Sequence, residues 1–380
     1  MKLAILAQTY LFDKTASING TLVQLHNLSK AFAQKGIEVH YICSTKDKKK
    51  PSKEIKNSIH FHWIQTQSGI QEWKRQMSLY KEILEKVQPD SIYVRGRNVL
   101  QYIAGNYAKS HKSNFVWGTN GEDSAELWKN CRRLLASKKN IIRRAGLLPL
   151  KLYEDYYINS GMKMADFVVN QTKNQKEFTR KTLRKKGIIL PSFFLPTENS
   201  LQKKNQILWL ATLSSNKQPE IFIELLQDLR FMNWKGILGG GTTNLNYENA
   251  IREKSKNLPI EITGNIEFEN SFFYYQRARL YINTSRPDSD GLPNAYIQSW
   301  LSGTPILSLH HDPNNWLMEQ NIGYCAQGSV KRLKTKLQEL IENPEEIEKM
   351  GKRAKNFAEE HFSNNRTIVA YINLFKVTKD

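Results

Sequence analysis

Short β-forming apolar runs alternate with amphipathic helical stretches along nearly the whole chain, in two successive series. That alternation is the strongest restriction on the fold, because strands separated by helices pair in parallel and need helices on both faces. In the first series Lys2–Thr9, Ile37–Cys43, Ile59–Ile64, Ser91–Val94, Asn114–Trp117 and Asp166–Asn170 read as strands. Thr21–Gln34 and Glu72–Val87 read as helices, another starts at Val99, and a basic helix follows Asn170. In the second series Ile207–Leu213, Gly236–Leu238, Ile260–Thr263, Leu280–Asn283 and Ile306–Leu309 are strands, with Pro219–Arg230 among the helices. From Lys331 onward the pattern is helical, and the polar stretch Pro196–Gln206 separates the two series. The expected architecture is α/β, with two Rossmann-like domains over residues 1–196 and 197–360. The 380 residues suit two or three domains of roughly 150 each.

No stretch approaches the roughly eighteen apolar residues of a spanning helix. The opening Met-Lys-Leu-Ala-Ile-Leu-Ala resembles a signal peptide only briefly; Gln8 and Thr9 interrupt it, and a first strand explains it better. Cys43, Cys131 and Cys325 are widely scattered, form no metal spacing and argue for a reducing compartment.

The formal net charge of +20 is unevenly distributed. Residues 1–200 carry 34 Lys and Arg against 16 Asp and Glu, whereas residues 201–380 carry 22 against 20. The first domain is therefore expected to face an anionic surface. Its densest cluster, Trp128–Lys151, has no acidic residue and sets Arg132, Arg133, Arg143 and Arg144 among Leu134, Leu135, Ile141, Ile142, Leu147 and Leu148. Basic and apolar pairs alternating at helical spacing fit an interfacial amphipathic helix. A second basic stretch, Lys173–Lys186, holds only Glu177 against seven cations. An anionic membrane surface met through residues 128–151 and 173–186 is the expected partner. Packing of the apolar residues into the domain core is the competing reading. No nucleic-acid recognition signature accompanies the charge, and none is expected to bind.

Residues 279–309 combine a strand, a polar turn, a short helix and a second strand. Gly291 frees the backbone, Pro293 suits the first helical position, and Gly303 ends the helix. A helix start after a strand end is where a parallel sheet binds anions and nucleotides. Asp290 precedes this helix, and Asn294 and Gln298 share one of its faces.

This run resembles the donor-site segment of the retaining glycosyltransferases of family 4 (group 1), which have the GT-B fold, two Rossmann-like domains facing across a cleft. The match is Asp290-Gly291-Leu292-Pro293, then Gln298-Ser299, then Gly303-Thr304-Pro305-Ile306. Both family carboxylates are altered: the first is Asp290, and the second, which contacts ribose hydroxyls in the family, is Gln298. Ile207 to Glu220 resembles the strand–loop–helix whose Arg and Lys hold the donor diphosphate; Lys217 matches the Lys, and Thr212 replaces the Arg. Leu238-Gly239-Gly240-Gly241 resembles the family's glycine-rich turn, and Thr263-Gly264-Asn265-Ile266 the loop whose backbone reads the donor base. In the first domain Ser17-Ile18-Asn19-Gly20 stands where the family has a glycine-rich loop near the transferred sugar. Asn120 occupies the position of a sugar-contacting His, and Glu122 and Asp123 are carboxylates that either serve the acceptor hydroxyl or cap the next helix. Arg95 and Arg97 either bind an anionic acceptor or are surface charges at a helix start.

The resemblance implies a retaining, metal-independent hexosyltransferase without a resident cofactor. Its donor is a UDP-, GDP- or other nucleotide diphosphate sugar, and the basic first domain points to a lipid-linked or cell-surface glycan precursor as its acceptor. It further implies that the tail 361–380 crosses back onto the first domain, and a cytoplasmic, peripheral location on the membrane's cytoplasmic face. Three other readings stay open. Asp288-Ser289-Asp290 is a literal Asp-x-Asp, as in metal-dependent transferases of the other major fold. A sugar-nucleotide epimerase shares the GT-B fold. A catalytically lapsed basic scaffold would explain Thr212, Gln298 and Asn120.

Overall fold

The computed structural model describes residues 1–14, 19–66, 72–137, 140–195, 201–227, 233–242, 244–287 and 292–377. The chain forms two compact units, Met1–Phe194 with Asn365–Asp380, and Leu195–Asn364.

The first unit is built on β1 (Lys2–Ala7), β2 (Glu38–Thr45), β3 (Lys53–Lys56), β4 (Ile59–Gln65), β5 (Ser91–Arg95), β6 (Asn114–Gly118), β7 (Phe167–Asn170) and β8 (Gly187–Ile189). Its helices are α1 (Gly20–Gln34), α2 (Glu72–Val87), α3 (Leu100–Ser110), α4 (Lys129–Leu135), α5 (Ile141–Met164), α6 (Lys173–Leu183) and the C-terminal helix Asn365–Phe375. The strand order is β3-β4-β2-β1-β5-β6-β7-β8, parallel throughout except for β3, which pairs antiparallel with β4. Leu3 to Leu6 of β1 are fully buried, as a strand covered on both faces requires. The sheet reverses its winding direction between β1 and β5, which pair directly.

The C-terminal helix belongs to this unit through packing. Tyr371 lies 5.8 Å from Phe32 and 5.8 Å from Tyr93, and Phe375 lies 5.3 Å from Phe32. Its terminal carbonyl at Phe375 accepts from Ser91 Oγ at 2.6 Å and Asn114 Nδ2 at 3.3 Å, satisfying a group that helix ends leave open. Residues 361–364 stay with the second unit, where the Phe362 ring stacks on Trp300 at 6.0 Å, so the returning tail is shorter than 361–380.

The basic segment after Trp128 is two helices rather than one. Asn140 caps α5 by accepting from Arg143 N at 2.8 Å, and α5 runs on to Met164. Asp155 of α5, fully buried, accepts from Asn130 N at 3.3 Å and Cys131 N at 2.9 Å at the start of α4, and pairs with Arg97 at 2.7 Å. Burial raises its pKa, but these donors outweigh that and leave it below the usual carboxylate range.

The second unit contains β9 (Lys204–Leu210), α7 (Pro219–Leu225), β10 (Lys235–Gly239), α8 (Leu245–Ser255), β11 (Ile260–Gly264), α9 (Phe268–Arg277), β12 (Ala278–Asn283) and α10 (Asn294–Leu301). It continues with β13 (Ile306–Ser308), α11 (Trp316–Glu319), β14 (Gly323–Cys325), α12 (Val330–Glu342) and α13 (Pro344–Phe362). The wholly parallel order β11-β10-β9-β12-β13-β14 is the doubly wound order of dinucleotide-binding sheets. Ile207, Trp209, Leu280, Ile282 and Leu307 form the core with Phe222 and Leu337 from the helices.

Candidate functional site

In an open parallel sheet, ligands bind beyond the carboxyl ends of the strands where the winding reverses. In the second unit that point lies between β9 and β12, which pair directly. The loops leaving these strands are laced together. Trp209 Nε1 donates to Thr284 Oγ1 at 2.8 Å, and that hydroxyl donates to the Lys217 carbonyl at 2.6 Å, with the Gln218 carbonyl at 2.9 Å. Arg286 N donates to Asn216 O at 2.9 Å. Half-buried Lys217 is thus fixed at the switch point, just before α7.

The glycine-rich turn joins the same layer. Leu213 N donates to Gly241 O at 3.0 Å, and Gly240 N donates to Gly264 O at 2.8 Å. Gly240 has φ +147, and a Cβ there would overlap the Ala211 carbonyl oxygen, so the two loops approach this closely only because the residue is glycine. Exposed Thr212, exposed Asn265 and half-buried Ile266 therefore sit on adjoining loops at the carboxyl ends of β9 and β11. At the start of α10, Leu292 is buried, Pro293 is the N-cap residue, and Asn294 is half-buried. Pro293 itself has no side-chain group with which to cap this helix. Asp290 and Gly291, with Asp288 and Ser289, lie outside the described residues.

Gln298 takes a place that periodicity did not reveal. It is buried, and its Nε2 donates to Ser271 Oγ of α9 at 2.7 Å, so its amide nitrogen is committed inside the unit. Ser271 Oγ in turn donates to Phe268 O at 2.6 Å. A carboxylate at position 298 would face an oxygen whose proton is already used. We expect Gln298→Glu to lower stability by about 1–3 kcal/mol, read as a fall in Tm without added nucleotide. A Tm equal to that of the parent chain, with tighter nucleoside diphosphate binding, would instead place the side chain against the ligand.

In the first unit the reversal lies between β1 and β5, and the candidate residues sit at the carboxyl ends of neighbouring strands. Asn19 spends its side chain on its own helix, accepting from Thr21 N at 3.1 Å and Leu22 N at 3.2 Å, beside exposed Gly20. Ser17 and Ile18 lie outside the described residues. Asn120 is exposed, its N–H donating to Ser124 Oγ at 3.0 Å and its carbonyl accepting from Gln175 Nε2 at 3.4 Å. Glu122 accepts from Thr172 Oγ1 at 3.1 Å. Asp123 pairs with buried Lys129 and, at 3.5 Å, with Arg133. Neither carboxylate caps α4, a task that falls to Asp155.

Arg95 and Arg97 are not surface charges. Arg95 is 1% exposed, and its Nη1 donates to Tyr93 OH at 3.2 Å; Arg97 is held by Asp155. The signal was present: Tyr93 and Arg95 alternate onto one face of β5, and the C-terminal helix covers that face. Arg286 was not singled out from the sequence, yet it brings a second cation to the β9–β12 switch point.

Two Rossmann-like units in one chain fit the GT-B architecture. The comparisons agree. Residues 194–357 match the model for glycosyl transferases group 1, and residues 17–143 match a glycosyl transferase 4-like model. An uncharacterized glycosyltransferase of Haemophilus influenzae is 26% identical over 208 residues, a stretch that spans 52% of this chain and 57% of that protein. Sucrose-phosphate synthase from Thermosynechococcus elongatus superposes with TM-score 0.70 at 14% identity, covering 99% of this chain and 98% of that one. WaaG, a glycosyltransferase involved in lipopolysaccharide biosynthesis, superposes with TM-score 0.69 at 13% identity, covering 99% and 100%. The chain has the GT-B fold and is similar to glycosyltransferases in both of its units. Among the described residues, no group of three or more His, Cys, Asp or Glu is placed to hold a metal, and no helix is long and apolar enough to cross a membrane.

Proposed function

We propose that the protein transfers a hexosyl unit, with retention of configuration, from a nucleotide diphosphate sugar to a hydroxyl of a lipid-linked or surface-glycan precursor. The observation that carries this reading is the β9–β12 switch point, where two loops joined by the Arg286 N to Asn216 O bond bring Lys217 and Arg286 to one edge. In the reaction, the bond between the anomeric carbon and the diphosphate oxygen breaks, and negative charge grows on the leaving group. Lys217 and Arg286 stabilise that charge, helped by the dipole of α10 at its start. The departing diphosphate takes the acceptor's proton, so no strong protein base is needed. Asn120 binds a hydroxyl of the sugar, and Glu122 orients the acceptor.

The acceptor class rests on the first unit's surface. Leu135, Ile141, Ile142, Leu150, Leu152 and Tyr156 stay exposed on α4 and α5, with Ile142 at 79%, whereas Leu134 is buried and Leu147 and Leu148 are half-buried, so only part of the apolar side of the basic segment is spent on the core. An anionic membrane suits both its charge and its apolar side chains, and a lipid-linked acceptor would be presented there at the cytoplasmic face. The second basic stretch contributes less: Arg180 and Lys181 pair with Glu177 at 2.8 and 3.5 Å, and Lys185 Nζ donates to Ala165 O at 2.6 Å.

The test is turnover with a panel of nucleotide sugars, each with and without excess chelator. At least one UDP- or GDP-hexose should be consumed only when acceptor is present, and chelator should leave the rate unchanged. Conversion of the donor without acceptor would identify an epimerase. Loss on chelation with recovery by manganese would point to a metal carrying the diphosphate charge. No turnover and no nucleoside diphosphate binding would leave the scaffold reading.

A further inference from the structure

The second unit carries another basic site, at the opposite end of its sheet from the switch point. Lys203 precedes β9, and Arg279 is the second residue of β12, both at strand amino ends. On α13, Glu348, Lys352 and Lys355 lie on one helical face at spacings of four and three. These five side chains line a cavity of about 260 Å³, in which four cations meet one carboxylate. The carboxylate is already used, since Glu348 pairs with Lys352 at 2.9 Å. Among the described residues, Lys355 pairs with a distant Glu359 at 3.9 Å, and the buried Arg279 Nε makes no hydrogen bond.

Lys203 is the innermost of these groups. Its ammonium donates to the carbonyls of Tyr275 at 3.2 Å, Ala278 at 2.9 Å and Ser302 at 2.8 Å, and to Thr304 Oγ1. It thereby closes the carboxyl ends of α9 and α10, whose carbonyls would otherwise repel an anion. Burial, followed by the charges of Arg279 and Lys355, pushes its pKa down to about 7. Uncompensated positive charge therefore collects in one small cavity, and a buried donor lacks an acceptor. Both deficits are met by one kind of ligand.

We propose that this cavity binds a small phosphate-bearing anion, with Arg279 as its principal hydrogen-bond donor and Lys352 and Lys355 as charge partners. Phosphate matches the excess of cations and supplies acceptors for a guanidinium. The volume admits free phosphate or the phosphoryl end of a sugar phosphate. The site is separate from Lys217 and does not depend on the transferase reading.

Thermal shift with the full chain tests it. Orthophosphate and a hexose 1-phosphate are titrated separately against sodium chloride of equal ionic strength. Each should raise Tm by several degrees and saturate at millimolar concentration. Arg279→Gln should abolish the rise, while Lys217→Ala should keep it. Lys355→Gln, on the surface of α13, gives a reduced rise if Arg279→Gln does not fold. A larger shift with the hexose phosphate identifies a sugar phosphate as the ligand, and a larger shift with orthophosphate identifies the free ion. An equal rise with sodium chloride would reduce the effect to screening and overturn the site. A rise lost in Lys217→Ala but kept in Arg279→Gln and Lys355→Gln would place the anion at the switch point and overturn it equally.

Discussion

Replacing Arg132, Arg133, Arg143 and Arg144 by serine should weaken binding to anionic vesicles by roughly a hundredfold or more. A basic side chain near an anionic leaflet contributes about 1 kcal/mol, and four act together. The total falls short of four full increments, because Arg132 pairs with Glu126 at 3.1 Å and Arg133 with Asp123 at 3.5 Å. The apolar component is separable. Ile141 is 73% exposed, and burying an isoleucine contributes about 1.5–3 kcal/mol. Ile141→Ser with Ile142→Ser should therefore remove the binding that survives high salt, while the arginine variant removes the salt-sensitive part. Vesicle sedimentation over a salt series separates the two. Equal binding to neutral and anionic vesicles, with no effect of the four arginine changes, would eliminate the electrostatic account. The isoleucine variant should melt like the parent chain, since Ile141 and Ile142 face solvent; the arginine variant should melt slightly lower, because half-buried Arg144 donates to Leu135 O at 2.8 Å.

Lys217→Ala should lower kcat/KM for the nucleotide sugar by about tenfold to a hundredfold or more. A charge-assisted contact to phosphate contributes roughly 1.5–3 kcal/mol, and more of it is felt as the leaving group gains charge. Arg286→Ala should cause a comparable loss, and the double variant should lose less than the sum of the two, because both cations act on one diphosphate. The backbone bonds that join the two loops, from Thr284 Oγ1 to Lys217 O and from Arg286 N to Asn216 O, are kept in both variants, so the loss should appear in nucleotide binding and turnover with the fold retained. Unchanged donor affinity in Lys217→Ala, with normal turnover, would remove this loop from the diphosphate site.

The fold class was legible because strand and helix periods are local. Glu72–Val87 was read from its spacing to the residue, and most strand centres fell in place with ends displaced by a few residues. The strand Lys53–Lys56 escaped, because four mostly exposed residues with two lysines carry no apolar alternation. The Trp128–Lys151 cluster was legible in composition but not in shape. Its α5 begins where Asn140 caps it, while the start of α4 is held by Asp155, far along the chain.

Two helix-covered, mainly parallel sheets could be read from neighbouring residues, because strand and helix periods are local. Which polar groups face solvent followed from the packing of distant segments. Arg95 and Gln298 read as surface or ligand-facing groups by pattern, yet one lies under the C-terminal helix and the other is bonded to Ser271. Arg286, unnoticed in sequence, was brought beside Lys217 by the pairing of β9 with β12. Burial and partner choice depend on which distant segments pack together, and local periodicity carries no information about that.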